Sequence, residues 1–473
     1  MKRFAFVLAL GLFALPAFAQ NTDIESLAGL TFNFRNPGAR SLGMGGAFLG
    51  LADDATAAET NPAGLTILRQ PEISLEVRNF RSETLLPASG HFPDLQDENF
   101  VSYSRNVDVS FASAVFPREK WALAVYYHHP LQVSTDLNML YEFDIFNDAV
   151  LKDLPYFYVA RGNPLGSGGA VTRQECEQLQ NQDFGLCSGF QVTGFLSSVA
   201  VEQETWGLAG AWELGRLSLG AGVRYQTFEQ AALTLRYDQF LNPLEALIQA
   251  TELDANGEPQ EENDLTFTAG FKLALRENLS VGGVFKQGAE YPTGVFQRSV
   301  DEEFDEAFDT TFHVPDTAGL GVAWRPIPVL ALAADAVWIR YSNLTDDFRS
   351  AYSEIQVLDR PYAIEDAVEY HVGAEYFFTS RIPVAIRAGW WLEPAHGIEY
   401  VGPLTCTETI FAEEDRVLCS ANRIRSSILF NGGEDQNHFT VGVGLAWPRF
   451  QIDAAYDTSD NFKVGSLSGV FRF

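Results

Sequence analysis

After Gln20 the chain has no apolar run of 18 residues, so it does not cross a membrane with helices. It is short of positive charge: 32 Lys and Arg stand against 62 Asp and Glu, a formal net charge of -30. That excess argues against nucleic acid as a partner and against docking on anionic lipid. The acids gather between apolar stretches, in DLQDEN, NGEPQEEND, DEEFDEAFD and FAEEDR, where solvated loops account for them. A divalent cation bridging such loops is the one inorganic ligand they suggest, although none has the spacing of a calcium loop. Cysteine is scarce as well. The four fall as two local pairs, Cys176 with Cys187 and Cys406 with Cys419. In an exported chain this predicts two loop disulfides, since neither spacing nor nearby histidines suit a metal. Catalytic signatures are missing too. There is no G-x-S-x-G, P-loop, dinucleotide fingerprint or haem motif, and His128, His129, His313, His371 and His438 have no serine–acid setting. The expectation is a protein that is not an enzyme and needs no cofactor.

What is present begins with MKRFAFVLALGLFALPAFAQ. Lys2 and Arg3, an apolar run from Phe4 to Leu15 and Ala17-Phe18-Ala19 read as a secretory signal peptide over 1–19, with Gln20 the first mature residue. From Pro71 onward the chain alternates with period two. In LTFTAGFKLALR, Leu265, Phe267, Ala269, Phe271, Leu273 and Leu275 share one face, and Thr266, Thr268, Gly270 and Lys272 the other.

The connections then sort themselves. Tight ones lie at PREK, ELGR, REN, RPIP, TSRIP and PRF, and they alternate with longer ones near 82–98, 129–189, 238–263, 292–310, 343–366 and 395–437 and a short one near 458–465. Strict alternation of short turns and long loops over an even strand count marks a transmembrane β-barrel. The prediction is fourteen antiparallel strands over 71–473, in a bacterial outer membrane, as a monomer surrounded by lipid. Trp121, Trp338, Trp390 and Trp447 lie near strand ends on the apolar face, where an interface girdle belongs. Arg224, Lys272, Lys286, Asp335, Arg387 and Asp453 take the opposite parity and are expected to face the lumen. The final SLSGVFRF puts Leu467, Phe471 and Phe473 on one face, like the terminal signal of barrel assembly. Asn242 to Gly257 carries Leu244, Ala246, Leu247, Ala250 and Leu253 at helical spacing and predicts a short amphipathic helix.

The segment 20–70 fits no strand. LADDATAAETNPAGL is rich in small residues, and Gly43, Gly45, Gly46 and Gly64 permit tight turns and close packing. A barrel of this size leaks unless filled. The segment is therefore expected to fold inside the lumen as a hatch, with Asp53 and Asp54 accepting hydrogen bonds from lumen arginines or backbone amides. Gly-Met-Gly-Gly at 43–46, Ala-Asp-Asp at 52–54 and Asn61-Pro62-Ala63-Gly64 resemble the start of the long-chain fatty acid transporter family of outer membranes, FadL and its toluene- and xylene-uptake relatives.

The resemblance implies passive uptake of a hydrophobic small molecule, with lipid, detergent or fatty acid bound. It also implies a carboxylate held by lumen cations and a lateral exit where the third strand kinks. By facing alone the cation candidates are Arg224, Lys272, Lys286 and Arg387. The third strand carries Trp121, Tyr126, Tyr127, His128 and His129, and KWALAVYYHHP shows no glycine or interior proline to mark a kink, although His128-His129-Pro130 at its outer end can alter the pairing. Two other readings stay open: a porin for polar solutes, which would have no hatch, and a structural or secretion-associated barrel that binds a protein.

Overall fold

A computed structural model describes residues 35–86, 100–144, 190–237, 243–251, 259–299, 305–345, 362–379, 381–405 and 430–473, with short pieces at 158–160, 170–171 and 187–188 and the single positions 423 and 427. The signal peptide, most of the acidic loop runs, and Cys176, Cys406 and Cys419 lie outside the described residues. Cys187 is described only as backbone, in a short strand paired with Ala160.

Fourteen strands close into one antiparallel barrel. They are β1 (Glu72–Leu86), β2 (Phe100–Pro117), β3 (Trp121–Asp144), β4 (Phe190–Leu214), β5 (Leu217–Tyr237), β6 (Glu262–Arg276) and β7 (Leu279–Lys286). There follow β8 (Thr317–Ile327), β9 (Leu330–Ile339), β10 (Ala367–Phe378), β11 (Val384–Glu393), β12 (Gln436–Ala446), β13 (Phe450–Thr458) and β14 (Phe462–Arg472). Each strand pairs with its neighbours in sequence, and β14 returns to β1 over eleven residue pairs, from Glu72↔Arg472 to Ser82↔Phe462. Closure removes the sheet edge, which a bilayer does not tolerate.

The alternation has the anticipated polarity. Leu265, Phe267 and Leu275 are exposed on the outside, whereas Thr266, Thr268 and Lys272 are buried inside. On β4 the outward residues run apolar from Leu214 through Trp212 and Leu208 to Trp206 before Glu204 and Glu202 appear. Nine residues of tilted strand span about 23 Å, the height of an outer-membrane apolar band. Trp121 stands at the short-turn rim of the outer face and Trp338 and Trp390 at the long-loop rim, with Trp447 in a short turn. No helix among the described residues is long and apolar enough to cross a membrane.

Two expectations about the loops are corrected. Pro243–Ala250 is a strand, not a helix. It pairs with β5 from Ala231↔Ala250 to Tyr237↔Pro243 and, on its other side, with the strand Glu290–Ser299. The pairing of β6 with β5 begins at Glu262↔Phe228, so the outer third of β5 would leave its N–H and C=O groups bare. Meeting those groups outweighs helical side-chain spacing. The third strand is also longer than its sequence pattern suggests, because β3 runs to Asp144 in 24 residues. Pro130 is therefore inside a strand.

Candidate functional site

Residues 35–71 fill the middle of the barrel as a hatch built of two short helices, α1 (Ala39–Gly43) and α2 (Ala57–Thr60), and a 3-10 helix, Pro62–Ile67. Small residues let its backbone lie directly on the wall. The wall supplies glycines where they meet. A side chain at Gly373 would strike the Met44 carbonyl, one at Gly389 the Gly45 amide, one at Gly282 the Leu49 carbonyl and one at Gly220 the Ala63 amide. Gly45 and Gly46 need their left-handed φ values of 65° and 77° to make this approach.

Asn61 explains the Asn-Pro-Ala turn. Its Oδ1 accepts the Ala63 N–H at 3.2 Å, while its Nδ2 donates to the Leu49 carbonyl at 3.2 Å and to Phe271 of β6 at 3.1 Å. Pro62 follows at the first helical position, where no N–H is needed. Gly64 lies against the Ala52 carbonyl with no room for a Cβ.

Charges lock the hatch to the wall. Arg40 of the hatch meets Asp53 at 2.6 Å and Glu375 of β10 at 2.8 Å. Arg325 of β8 reaches Asp53 at 2.7 Å. Burial pushes the Asp53 carboxyl up, but Arg40, Lys272 and Arg325 together bring it below its ordinary value. Asp54 caps Thr56, accepting its N–H at 3.0 Å and hydroxyl at 2.6 Å, and burial leaves it raised. Asp335 of β9 accepts the N–H groups of Phe48 and Leu49 at 2.6 and 2.7 Å. Lys272 donates to the Leu51 carbonyl, and Thr440 of β12 to that of Gly43 at 3.2 Å. Arg387, fully buried, joins Glu375 at 2.6 Å to Asp453 at 2.8 Å.

Above the hatch, on the long-loop side, lies a cavity of about 90 Å³ that is partly open to solvent. Its floor includes Leu42, Gly45, Leu49 and Glu59, and its walls include Val337, Ile339, Trp391 and Pro130. A cluster of buried apolar residues packs beside it. There Phe228 stacks between Tyr291 and Phe312, with ring centroids 4.6 and 4.7 Å away. Glu59 of α2 meets Lys286 at 2.9 Å, with Arg224 at 3.8 Å and His128 at 3.9 Å. Burial opposes its ionisation, yet the cations hold its pKa at about 2.

One seam of the barrel is incomplete. β2 pairs with β3 over only seven positions, from Phe111↔His128 to Pro117↔Ala122. Above them β2 continues on β1 and β3 on β4. The register of β3 on β4 breaks between His128 and Leu131, a bulge built of His129 and Pro130. Pro130 has no N–H to offer β2, and the bulge bends the strand. Across the opening His129 Nδ1 lies 2.7 Å from Asp108, and Asn106 Nδ2 donates to the Gln132 carbonyl at 3.0 Å. A second cavity lies at this gap, lined by Arg78, Asp108, His129 and Leu131, and Arg35 and Pro130 line both it and the first.

The closed fourteen-strand barrel has counterparts among solved structures. A Pseudomonas aeruginosa FadL homologue aligns over 93% of this chain and 100% of its own, at 14% identity and a TM-score of 0.56. The Pseudomonas putida toluene transporter TodX aligns over 93% and 99%, at 13% identity and a TM-score of 0.55. The Ralstonia pickettii toluene transporter TbuX aligns over 94% and 100%, at 12% identity and a TM-score of 0.54. The fold is that of the FadL-type barrels. No protein-family model and no curated protein sequence matches the chain.

Within this FadL-type barrel the four lumen cations divide. Arg224 and Lys286 line the cavity, while Lys272 and Arg387 lie beside the hatch and hold it in place. The third-strand residues divide as well. Trp121 is outward and far from the gap, and Tyr126 is buried among the hatch side chains. Tyr127 donates to Glu204 outside at 2.7 Å, His128 faces the cavity and His129 stands in the gap. Trp391, Glu375 and Asp457 were not singled out from sequence, although strand parity places all three inward. Arg35 and Glu59 lie in the aperiodic segment and leave no such signal.

Proposed function

We propose that the protein is an outer-membrane channel of the FadL type that admits hydrophobic small molecules by diffusion and releases them sideways through the β2–β3 gap. The observation that carries this is that the cavity above the hatch and the cavity at the gap in the wall share Arg35 and Pro130 in their linings. Among the described residues a hatch seated on glycines and ion pairs lies across the straight path, which favours a lateral route for an apolar solute. The gap lies at the upper part of the apolar band, beside the exposed Val107 and Val109, where a molecule leaving it meets lipid. Solved barrels of the same fold that are named toluene transporters support the substrate class.

The test compares intact protein in liposomes with a form lacking residues 21–66. The intact protein should pass labelled toluene or a fatty acid, exclude a sugar of similar size and conduct little current in planar bilayers. The deletion form should conduct freely. Intact protein that passes the sugar and excludes the apolar probe would instead be a polar-solute porin. Two closed constructs that move neither substrate would favour a barrel that binds a protein partner.

A further inference from the structure

We infer that the outer face of the barrel carries a docking site for a phosphorylated glycolipid of the outer leaflet, built by Arg105, Arg81 and Lys463 on the neighbouring strands β2, β1 and β14. The site goes beyond the uptake reading and depends only on the placement of the barrel in an outer membrane.

Strand register sets the three cations side by side. Arg81 of β1 pairs with Arg105 of β2 and, on its other side, with Lys463 of β14. The residues next to them along each strand fix their facing and height. On β2 the outward Val109 and Val107 are exposed, and Arg105, also exposed, is the next outward residue. On β1 the outward residues run Ile73, Leu75, Val77 and Asn79 before Arg81. On β14, from the short-turn rim upward, Phe471, Gly469, Leu467 and Gly465 come before Lys463. The row therefore stands on the lipid side at the upper border of the apolar band, where acyl chains give way to headgroups. Just below it the surface is open, since a Cβ on Gly465 would meet nothing within 4 Å.

Like charges directly opposite one another destabilise a sheet. Glu83 offsets part of the repulsion, but its single Oε1 serves two cations, Arg81 at 3.2 Å and Lys463 at 3.5 Å. Arg105 makes no ion pair among the described residues, and the exposed Asp460 in the turn above makes none with Lys463. The acids behind the net charge of -30 gather in loop runs elsewhere, so the repulsion of anionic lipid expected of the whole chain does not describe this patch. A phosphate fits it. Two guanidinium forks and an ammonium offer donors to phosphate oxygens from one side, and clustered cations at a membrane surface recognise phosphorylated headgroups. The glycolipid of a bacterial outer leaflet carries phosphates on its sugars and acyl chains below them. With the phosphates on the row, its tails lie along Val107, Val77 and Leu467 and over the space at Gly465. Free phosphate gains none of that apolar contact, which commits the site to a lipid.

The test is equilibrium binding of bisphosphorylated lipid A, dephosphorylated lipid A, phosphatidylglycerol and inorganic phosphate to the full chain, delipidated in a nonionic detergent. Wild type should bind bisphosphorylated lipid A roughly tenfold more tightly than any other probe. The double variant Arg81→Gln with Arg105→Gln should lose that preference, and Arg276→Gln, at the opposite rim, should keep it. Glu83→Gln removes an anion that competes for Arg81 and Lys463 and should tighten binding severalfold, a gain that misassembly does not mimic. Heat-modifiable gel migration checks that each barrel is closed. Dephosphorylated lipid A bound equally well, or a preference unchanged in the double variant, overturns the site. Phosphatidylglycerol bound equally well makes the patch an unselective anionic surface and overturns the glycolipid assignment, and inorganic phosphate bound equally well makes it an ion site. None of these results touches the uptake reading.

Discussion

The lower lumen and the upper lumen of this barrel are lined by the same alternating strands yet are built on opposite terms. Below, hatch backbone lies on wall glycines, and Arg40, Asp53, Glu375, Arg387 and Asp453 are joined in one chain of ion pairs. Above, a cavity remains, the Arg35 donors meet no hydrogen-bond partner among the described residues, and the seam between β2 and β3 stops at Phe111 and His128. Space is excluded below, where the hatch meets the wall, and kept above it. What separates the two halves is local chemistry on one scaffold: glycine where backbone must touch wall, and a proline bulge where pairing must end.

The largest expected effect comes from breaking the lower half. Gly389→Val or Gly373→Val puts atoms where the hatch backbone lies, and overpacking of this sort costs about 1–3 kcal/mol or more. Gly465→Val is the comparison, since a Cβ there meets nothing within 4 Å. Single-channel conductance should rise at least tenfold in the first two and stay at the wild-type level in the third. Heat-modifiable gel migration should show that all three barrels are closed. Equal conductance in all of them would mean that the glycine seat does not hold the hatch.

A smaller effect is expected from making the upper half resemble the lower. Deleting Pro130 removes the extra residue of the bulge, so that His129 faces Glu204 and Leu131 keeps its partner Gln203. The inward and outward faces of β3 are then unchanged, and the strand can continue along β2. Uptake of an apolar probe should fall several-fold with little change in ion conductance, because the hatch is untouched. Undiminished uptake would place the exit elsewhere.

The contrast also marks how much the sequence discloses. Strand number, short turns and the faces of β6 and β14 follow from alternation, which is a local property that burial on one side imposes. Lys272 and Arg387 were legible as lumen residues for the same reason, but parity is silent on height along the barrel. It could not separate these hatch anchors from Arg224 and Lys286 at the cavity. Pro243–Ala250 was misread because its fate depends on the bare edge of β5, a feature of distant chain. The bulge was legible only in part: His128-His129-Pro130 marked a place where pairing can alter, but Pro130 looked like a strand end. The strand runs on only because β4 extends alongside it.

The smallest effect is a pH dependence located where the two halves meet, at Glu59. In the seated hatch its pKa is depressed to about 2, from an ordinary value near 4.5. A depressed carboxyl stabilises the seated state fully above its unseated pKa and loses that contribution as pH falls through its seated one. Asp53, also lowered, acts in the same direction. Asp54 is raised, so acidification relieves its buried charge and offsets part of the loss. Conductance of the intact protein should therefore be flat from pH 7 to 5 and increase modestly between about pH 4 and 2. Glu59→Gln should flatten that increase and raise conductance slightly at pH 7, where Lys286 would lose its partner. A rise already complete at pH 5 would show that groups other than Glu59 and Asp53 govern the seating of the hatch.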